Sequence, residues 1–191
     1  MWIIAILIVV AFYFVSVYNG LVSQKARIKA SIQEIGNQLK RQADLIPNLE
    51  ESAKGYLKHE KDILKLLADA RKSVQSAVNS GDLKSLSEAG QKVASILPQI
   101  QVVMESNPEL KGVQVVTGLM DELRDTSDKV MYARRTLIDL TADYNIKISV
   151  FPSNLVAQMF KFGPEAGLST PTDGNFMSVS AEDTKTPKVS L

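Results

Sequence analysis

From residue 21 onward, apolar side chains recur in alternating steps of three and four. Leu21, Ile28, Ile32, Ile35, Leu39, Ile46, Leu49, Ala53, Tyr56, Ile63, Leu67, Ala70, Val74 and Ala77 fall on one stripe. A period of 3.5 keeps one face of a helix against its neighbour at a shallow angle, the geometry of coiled coils and helical bundles. Asn79, Ser80, Gly81 and Asp82 then form a stop and restart. Gly81 is free to take a left-handed conformation there, and Asp82 to cap the next helix. A second stripe, Leu83, Leu86, Val93, Leu97, Ile100 and Met104, carries Pro98 beside it, where a local bend is expected. Ser106, Asn107 and Pro108 make the next break, with Asn107 as cap and Pro108 in the first helical position. The third stripe runs Val116, Met120, Leu123, Val130, Leu137, Tyr144, Ile148 and Phe151. It stops at Pro152, after which Ser153 is placed to cap a short amphipathic piece, NLVAQMFKF. The expected fold is all-α, an elongated antiparallel helical bundle of three to four long helices.

Ahead of the stripes, residues 1–24 hold no charged side chain. A helix needs about 20 residues, at ~1.5 Å each, to cross ~30 Å of hydrocarbon. Residues 2–22 satisfy that, with Trp2 and Tyr18 suited to the two interfaces. A cleaved signal peptide would want a basic residue before the run and a small-x-small site after it. Here the first basic residue is Lys25 and the run closes on Tyr18, Asn19, Gly20 and Leu21, so an uncleaved transmembrane anchor is the expectation. Lys25, Arg27 and Lys29 follow the span before any acid. By the positive-inside tendency, the amino terminus lies outside and the body in the cytoplasm. At the other end, residues 163–191 carry three of the seven prolines and three of the ten glycines without helical periodicity, and read as a flexible tail. The chain thus divides into an anchor (1–22), a helical-bundle domain (23–162) and the tail.

Composition removes several function classes. With 22 basic and 21 acidic side chains interspersed, net charge +1, no basic face is expected to neutralise a phosphate backbone, and no nucleic acid partner is expected. There is no cysteine for a disulfide, a thiolate metal site or a nucleophile. The single histidine, His59, stands in His-Glu-Lys-Asp-Ile, not in the HExxH that sets two histidines one helical turn apart on a metal. Paired Glu-x-x-His motifs for a carboxylate-bridged site, a GxSxG elbow, a P-loop and GxGxxG are all missing from the sequence. No catalytic residue, cofactor or metal is therefore expected, and the chain is read as a non-enzyme.

Interruptions of the stripes carry more information. Glu60 lands on the first stripe between Tyr56 and Ile63; Ser127, Arg134 and Thr141 occupy positions on the third. An unpaired charge in a bundle interior is costly. Glu60 and Arg134 are accordingly a candidate structural pair that fixes helix register, the alternative being that their long stems carry both charges to the bundle edge. Pro47 lies off the stripe while Ile46 and Leu49 keep the step across it. It either kinks one long helix, the reading the spacing favours, or separates two.

YNGLV at 18–22, QLKRQADLIPNL at 38–49, KGYLKHE at 54–60, NPEL at 107–110, YAR at 132–134 and YNIKISVFPSNLVA at 144–157 together resemble the LemA family over roughly residues 15–162. The resemblance implies a bacterial membrane protein with one amino-terminal transmembrane helix and a helical-bundle body. Some relatives are associated with specialised membrane compartments such as magnetosomes, and the family brings no catalytic residues to carry over. The chain departs from the family's pattern at Gln42, where a second basic residue is usual, near Ser127, where an acid is usual, and at Leu137-Ile138 in place of a Tyr-Asn pair.

These readings converge on a single-pass protein of the bacterial cell membrane. Its expected work is protein interaction or scaffolding, with the lipid bilayer and a protein of unknown identity as partners, and self-association into a homo-oligomer compatible with the pattern. The runner-up is a sensory or signalling bundle that repacks on binding a ligand or partner, which calls for a concave pocket lined by polar stripe residues. A carboxylate enzyme, the weakest reading, calls for two acids converging in a cleft.

Overall fold

A computed structural model describes residues 2–56, 61–111 and 113–168, and all regular structure in it is α-helical. The elements are α1 (Trp2–Ala53), α2 (Lys61–Ser80), α3 (Leu83–Ser106), the single turn α4 (Pro108–Lys111), α5 (Gln114–Ser149) and the short α6 (Ser153–Met159). The four long helices run alternately up and down. α1, with 52 residues, is about 78 Å long, and α5, with 36, about 54 Å, so these two form the axis of the molecule.

Cross-helix contacts fix the register and reveal three tiers. Arg41 on α1 meets Glu122 on α5, Gln42 meets Ser127, and Gly20 abuts Lys147, so α1 and α5 are antiparallel over most of the body. α2 and α3 flank only the upper part of that pair: Glu50 meets Arg71 on α2, and Leu39 packs near Gly90 on α3. The upper tier is thus a four-helix bundle. Below it, α1 and α5 continue as a two-helix stem, joined by α6 and residues 163–168. Beneath the stem, the first turns of α1 stand alone, with Trp2, Ile3, Ile4, Ile6, Leu7, Ile8 and Val9 all more than 60% exposed. Among the described residues this is the one helix with a segment long and apolar enough to cross a membrane.

The heptad seam of α1 is the spine of the core. Leu21, Ile28, Ile35 and Leu49 repeat at sevens, as do Leu39, Ile46 and Ala53, and each is at most 3% exposed. Facing them are Val116, Met120, Leu123, Val130, Leu137 and Tyr144 of α5. Burial of each such Leu, Ile or Val contributes roughly 1.5–3 kcal/mol before the entropy of ordering is set against it.

Pro47 sits inside α1, which continues through it to Ala53 and is not divided there. The missing donor deprives the Ala43 carbonyl of its helical partner, and packing offsets the loss, since the flanking Leu45, Ile46 and Leu49 are all buried; the Asn48 side-chain amide donates to the next carbonyl, that of Asp44, at 3.0 Å. The break comes later. Sequence periodicity carried the first stripe through Tyr56 to Ala77 as one run, whereas α1 ends at Ala53, the Tyr56 N–H closes onto the Ala53 carbonyl at 2.9 Å, and Tyr56 is 40% exposed. Gly55 has high freedom to leave the helix. Folding α2 back on α1 gives Ile63, Leu67, Ala70, Val74 and Ala77 an apolar neighbour that a continuing helix would lack.

The α2–α3 turn matches its expected chemistry. Gly81 takes φ +64° with its N–H on the Ala77 carbonyl at 3.0 Å, and the Asp82 carboxylate accepts from the Ser85 N–H at 2.9 Å and from its hydroxyl at 3.0 Å. Asn107 caps α4, accepting from the Leu110 N–H at 3.2 Å, but the helix expected to run on from Pro108 stops at Lys111 and restarts as α5. Ser153 does not cap α6. Its hydroxyl instead serves the last carbonyls of α5, with Oγ 2.6 Å from the Lys147 oxygen and 3.0 Å from that of Val150. Packing also extends beyond residue 162: Tyr144 Oη donates to the Gly163 carbonyl at 3.0 Å, and the Asn145 side chain both donates to and accepts from the Glu165 backbone at 3.0 Å. Residues 163–168, the start of the expected tail, are therefore clasped to the stem.

Candidate functional site

The polar residues on the seam separate into two places. The first is a closed layer. Gln42 Nε2 donates to Ser127 Oγ at 3.0 Å, with the two residues 0% and 3% exposed. Gln42 Oε1 is buried and meets no donor among the described residues. Gln42 lies seven residues after Ile35 and seven before Leu49, so its inward direction was readable from the heptad, yet among the stripe's interruptions only Glu60 stood out. Gln42 and Ser127, 85 residues apart in sequence, are thus direct neighbours joined by a neutral hydrogen bond.

The second place opens to solvent. Arg134 projects from α5 toward α3, half-buried, with Nε donating to Ser87 Oγ at 2.8 Å and Nη1 3.6 Å from Met131 Sδ. Gln91 reaches the same guanidinium. With its amide oxygen turned inward, the orientation that gives the donors an acceptor, it accepts from the two terminal nitrogens at 2.7 and 3.2 Å. Burial pushes the Arg134 pKa down from the usual guanidinium value. Among the described residues its hydrogen-bond partners are uncharged. Glu60, the other half of the candidate pair, lies outside the described residues, as does His59.

Arg134, Ser87 and Gln91 line an open groove of about 530 Å³ between α3 and α5, closed on one side by Ala166, Gly167 and Leu168. Its two acids are engaged locally: Asp82 caps α3, which holds its carboxyl below the usual aspartate range, and Glu88 faces Lys84 at 3.9 Å. A cation with neutral hydrogen-bond partners in a groove of mixed polar and apolar lining suits recognition of an anionic or hydrogen-bond-accepting group. The groove's outer wall depends on the clasp, because residues 166–168 follow directly on the Asn145–Glu165 contacts. Glu165 also meets Lys25 of α1 at 2.7 Å, and this hydrogen bond holds the Lys25 ammonium above the ordinary lysine value.

An up-and-down four-helix bundle built on one long helix, with an exposed apolar extension at that helix's amino end, is the class this chain presents. The chain belongs to the LemA family, whose model matches residues 31–190. No curated protein matches it.

Proposed function

We propose that this chain is a single-pass membrane protein whose bundle works by protein interaction or scaffolding at the bacterial cell membrane, and not by turning over a substrate. The observation that carries the reading is the continuity of α1. The same unbroken helix supplies both the exposed apolar segment and the central seam of the bundle, so the body is joined to its anchor without a linker. Such a joint suits holding a surface at a fixed height above a bilayer. Lys25, Arg27 and Lys29 favour a cytoplasmic body and an external amino terminus.

The exposed face of α5 supplies a surface for a protein partner, with Met131 45% and Tyr132 75% exposed in mid-helix. Photocrosslinking groups at these two positions, in intact membranes, are expected to give discrete protein adducts. Absence of any protein adduct from an inserted protein would refute the scaffold reading. Protease added outside intact cells is expected to leave the body uncut, and ready digestion would reverse the topology.

A second reading, a ligand-responsive bundle, is favoured by the Arg134 groove alone. It predicts that small anions protect Arg134 protein against thermal unfolding and leave an Arg134→Met variant unaffected; equal effects on both would remove it.

A further inference from the structure

The end of the third stripe does not enter the core. Phe151, in the turn ahead of α6, is 77% exposed, and Leu155 (49%) and Met159 (57%), one turn apart, are exposed on the side of α6 opposite the buried Ser153, Val156 and Ala157. Val150 and Phe160, each 48% exposed, widen this patch into an apolar foot. Both faces of α6 thus carry apolar residues, and among the described residues only one of them is covered.

The position of this foot says what covers the other face. α6 packs on the apolar run of α1: Tyr18 meets Phe160 and Phe162 with ring centroids 4.7 and 5.6 Å apart, Val17 is 8% exposed, and Tyr13 and Phe14 pack against the core. If α1 crosses the bilayer from Trp2, about 20 residues of span bring the far boundary to around residues 21–22, and Tyr18 then lies roughly 6 Å inside it. An interfacial helix buries its apolar face about 5–10 Å into the headgroup and acyl boundary. Charge agrees with that location. Between Asp143 and Glu165 the chain has no acid but carries Lys147 and Lys161, and the Lys147 ammonium abuts Gly20, close to that boundary.

We infer that Phe151, Leu155 and Met159 seat α6 in the lipid headgroup region, giving the bundle a second, non-spanning membrane contact beside its anchor. This rests on the reading of α1 as a membrane span. Two contacts at different points around the stem would fix the bundle's rotation and tilt as well as its height.

Single-tryptophan reporters in the full chain test it. In a Trp2→Phe background, tryptophan replaces Leu7 in the span, Phe151 in the foot, or Tyr132 on the bundle surface, and each protein is reconstituted into vesicles of mixed zwitterionic and anionic phospholipid. Phe151→Trp replaces an exposed ring by another, so folding is expected to survive, and thermal unfolding of each variant checks this. With lipids brominated near the headgroup end of the acyl chain, emission from positions 7 and 151 is expected to fall by about two-fold or more, and that from position 132 to stay unchanged. Quenching at 7 with position 151 open to aqueous iodide overturns the foot alone. Quenching at 7 with position 151 shielded from both lipid and iodide also overturns it, in favour of a second protein copy. Absence of quenching at 7 sinks the span reading and the foot with it.

Discussion

Ser127→Ala should destabilise the bundle more than its single lost hydroxyl suggests. The Gln42 amide is fully buried, its Oε1 has no donor among the described residues, and its Nε2 depends on Ser127 Oγ at 3.0 Å. Removing that oxygen leaves both ends of a buried amide unpaired, at a cost of about 1–3 kcal/mol. Gln42→Met, of similar shape, removes the amide altogether. It forfeits a hydrogen bond worth ~1 kcal/mol net but relieves the Oε1 penalty, and the freed Ser127 hydroxyl can turn to a carbonyl one helical turn back. The expected result is neutral to about 1 kcal/mol stabilising. The double variant Gln42→Met/Ser127→Ala should then recover most of the loss, a positive coupling of roughly 1–2 kcal/mol. For a chain of this length 1 kcal/mol moves Tm by about 2–4 °C, so Ser127→Ala should lower it by several degrees. The assay is far-UV circular dichroism melting of the detergent-solubilised chain. If Gln42→Met lowers Tm as much as Ser127→Ala, or Ser127→Ala leaves it unchanged, the reasoning about this layer is wrong.

Other sites make equally specific demands. A Cβ on Gly90 would lie 2.6 Å from Val130 Cγ1, so Gly90→Ala should destabilise by about 1–2 kcal/mol despite alanine's better helix propensity, and unchanged denaturant melting would show that α3 and α5 do not approach so closely. Asp82→Ala should lower Tm at neutral pH. Because the cap depresses the folded pKa, that stabilisation is present above the ordinary aspartate value of 3.8 and is lost as pH falls through the lower folded value, so the difference from wild type should close in strong acid. Tyr144→Phe removes the bond to the Gly163 carbonyl, costing ~1 kcal/mol, and should speed proteolysis between residues 163 and 168 without unfolding the bundle.

Much of the fold is legible in the sequence because a seven-residue repeat is a strong, redundant signal. The buried members of α1, α2, α3 and α5 are largely the stripe residues, and the Gly81-Asp82 turn follows from local chemistry that tertiary context has no reason to override. The same repeat hid the α1–α2 reversal. Tyr56 and Ile63 keep the register across a turn, and Pro47, the more conspicuous breaker, is accommodated inside a helix whose flanking residues are packed. The polar seam was only half readable. Ser127, Arg134 and Thr141 are visible as interruptions, but glutamine is common on exposed helix faces, so Gln42 carries no burial signal of its own, and the attachment of Arg134 to Ser87 and Gln91 depends on which helix lies beside α5, which spacing does not specify. Phe151 continues the α5 period on paper but points outward, because α5 ends at Ser149.

The central claim is that anchor and bundle share one unbroken helix. The chain contains no cysteine, so spin labels can be placed at Val9→Cys and Lys40→Cys without background. Both positions are exposed on α1, one in the apolar segment and one in the body. Thirty-one residues of continuous helix separate them by about 47 Å. Double electron–electron resonance on the chain in lipid nanodiscs should give a single narrow distance distribution near that value. A broad or markedly shorter distribution, or loss of the label at position 9 from protein isolated from membranes, would contradict the claim.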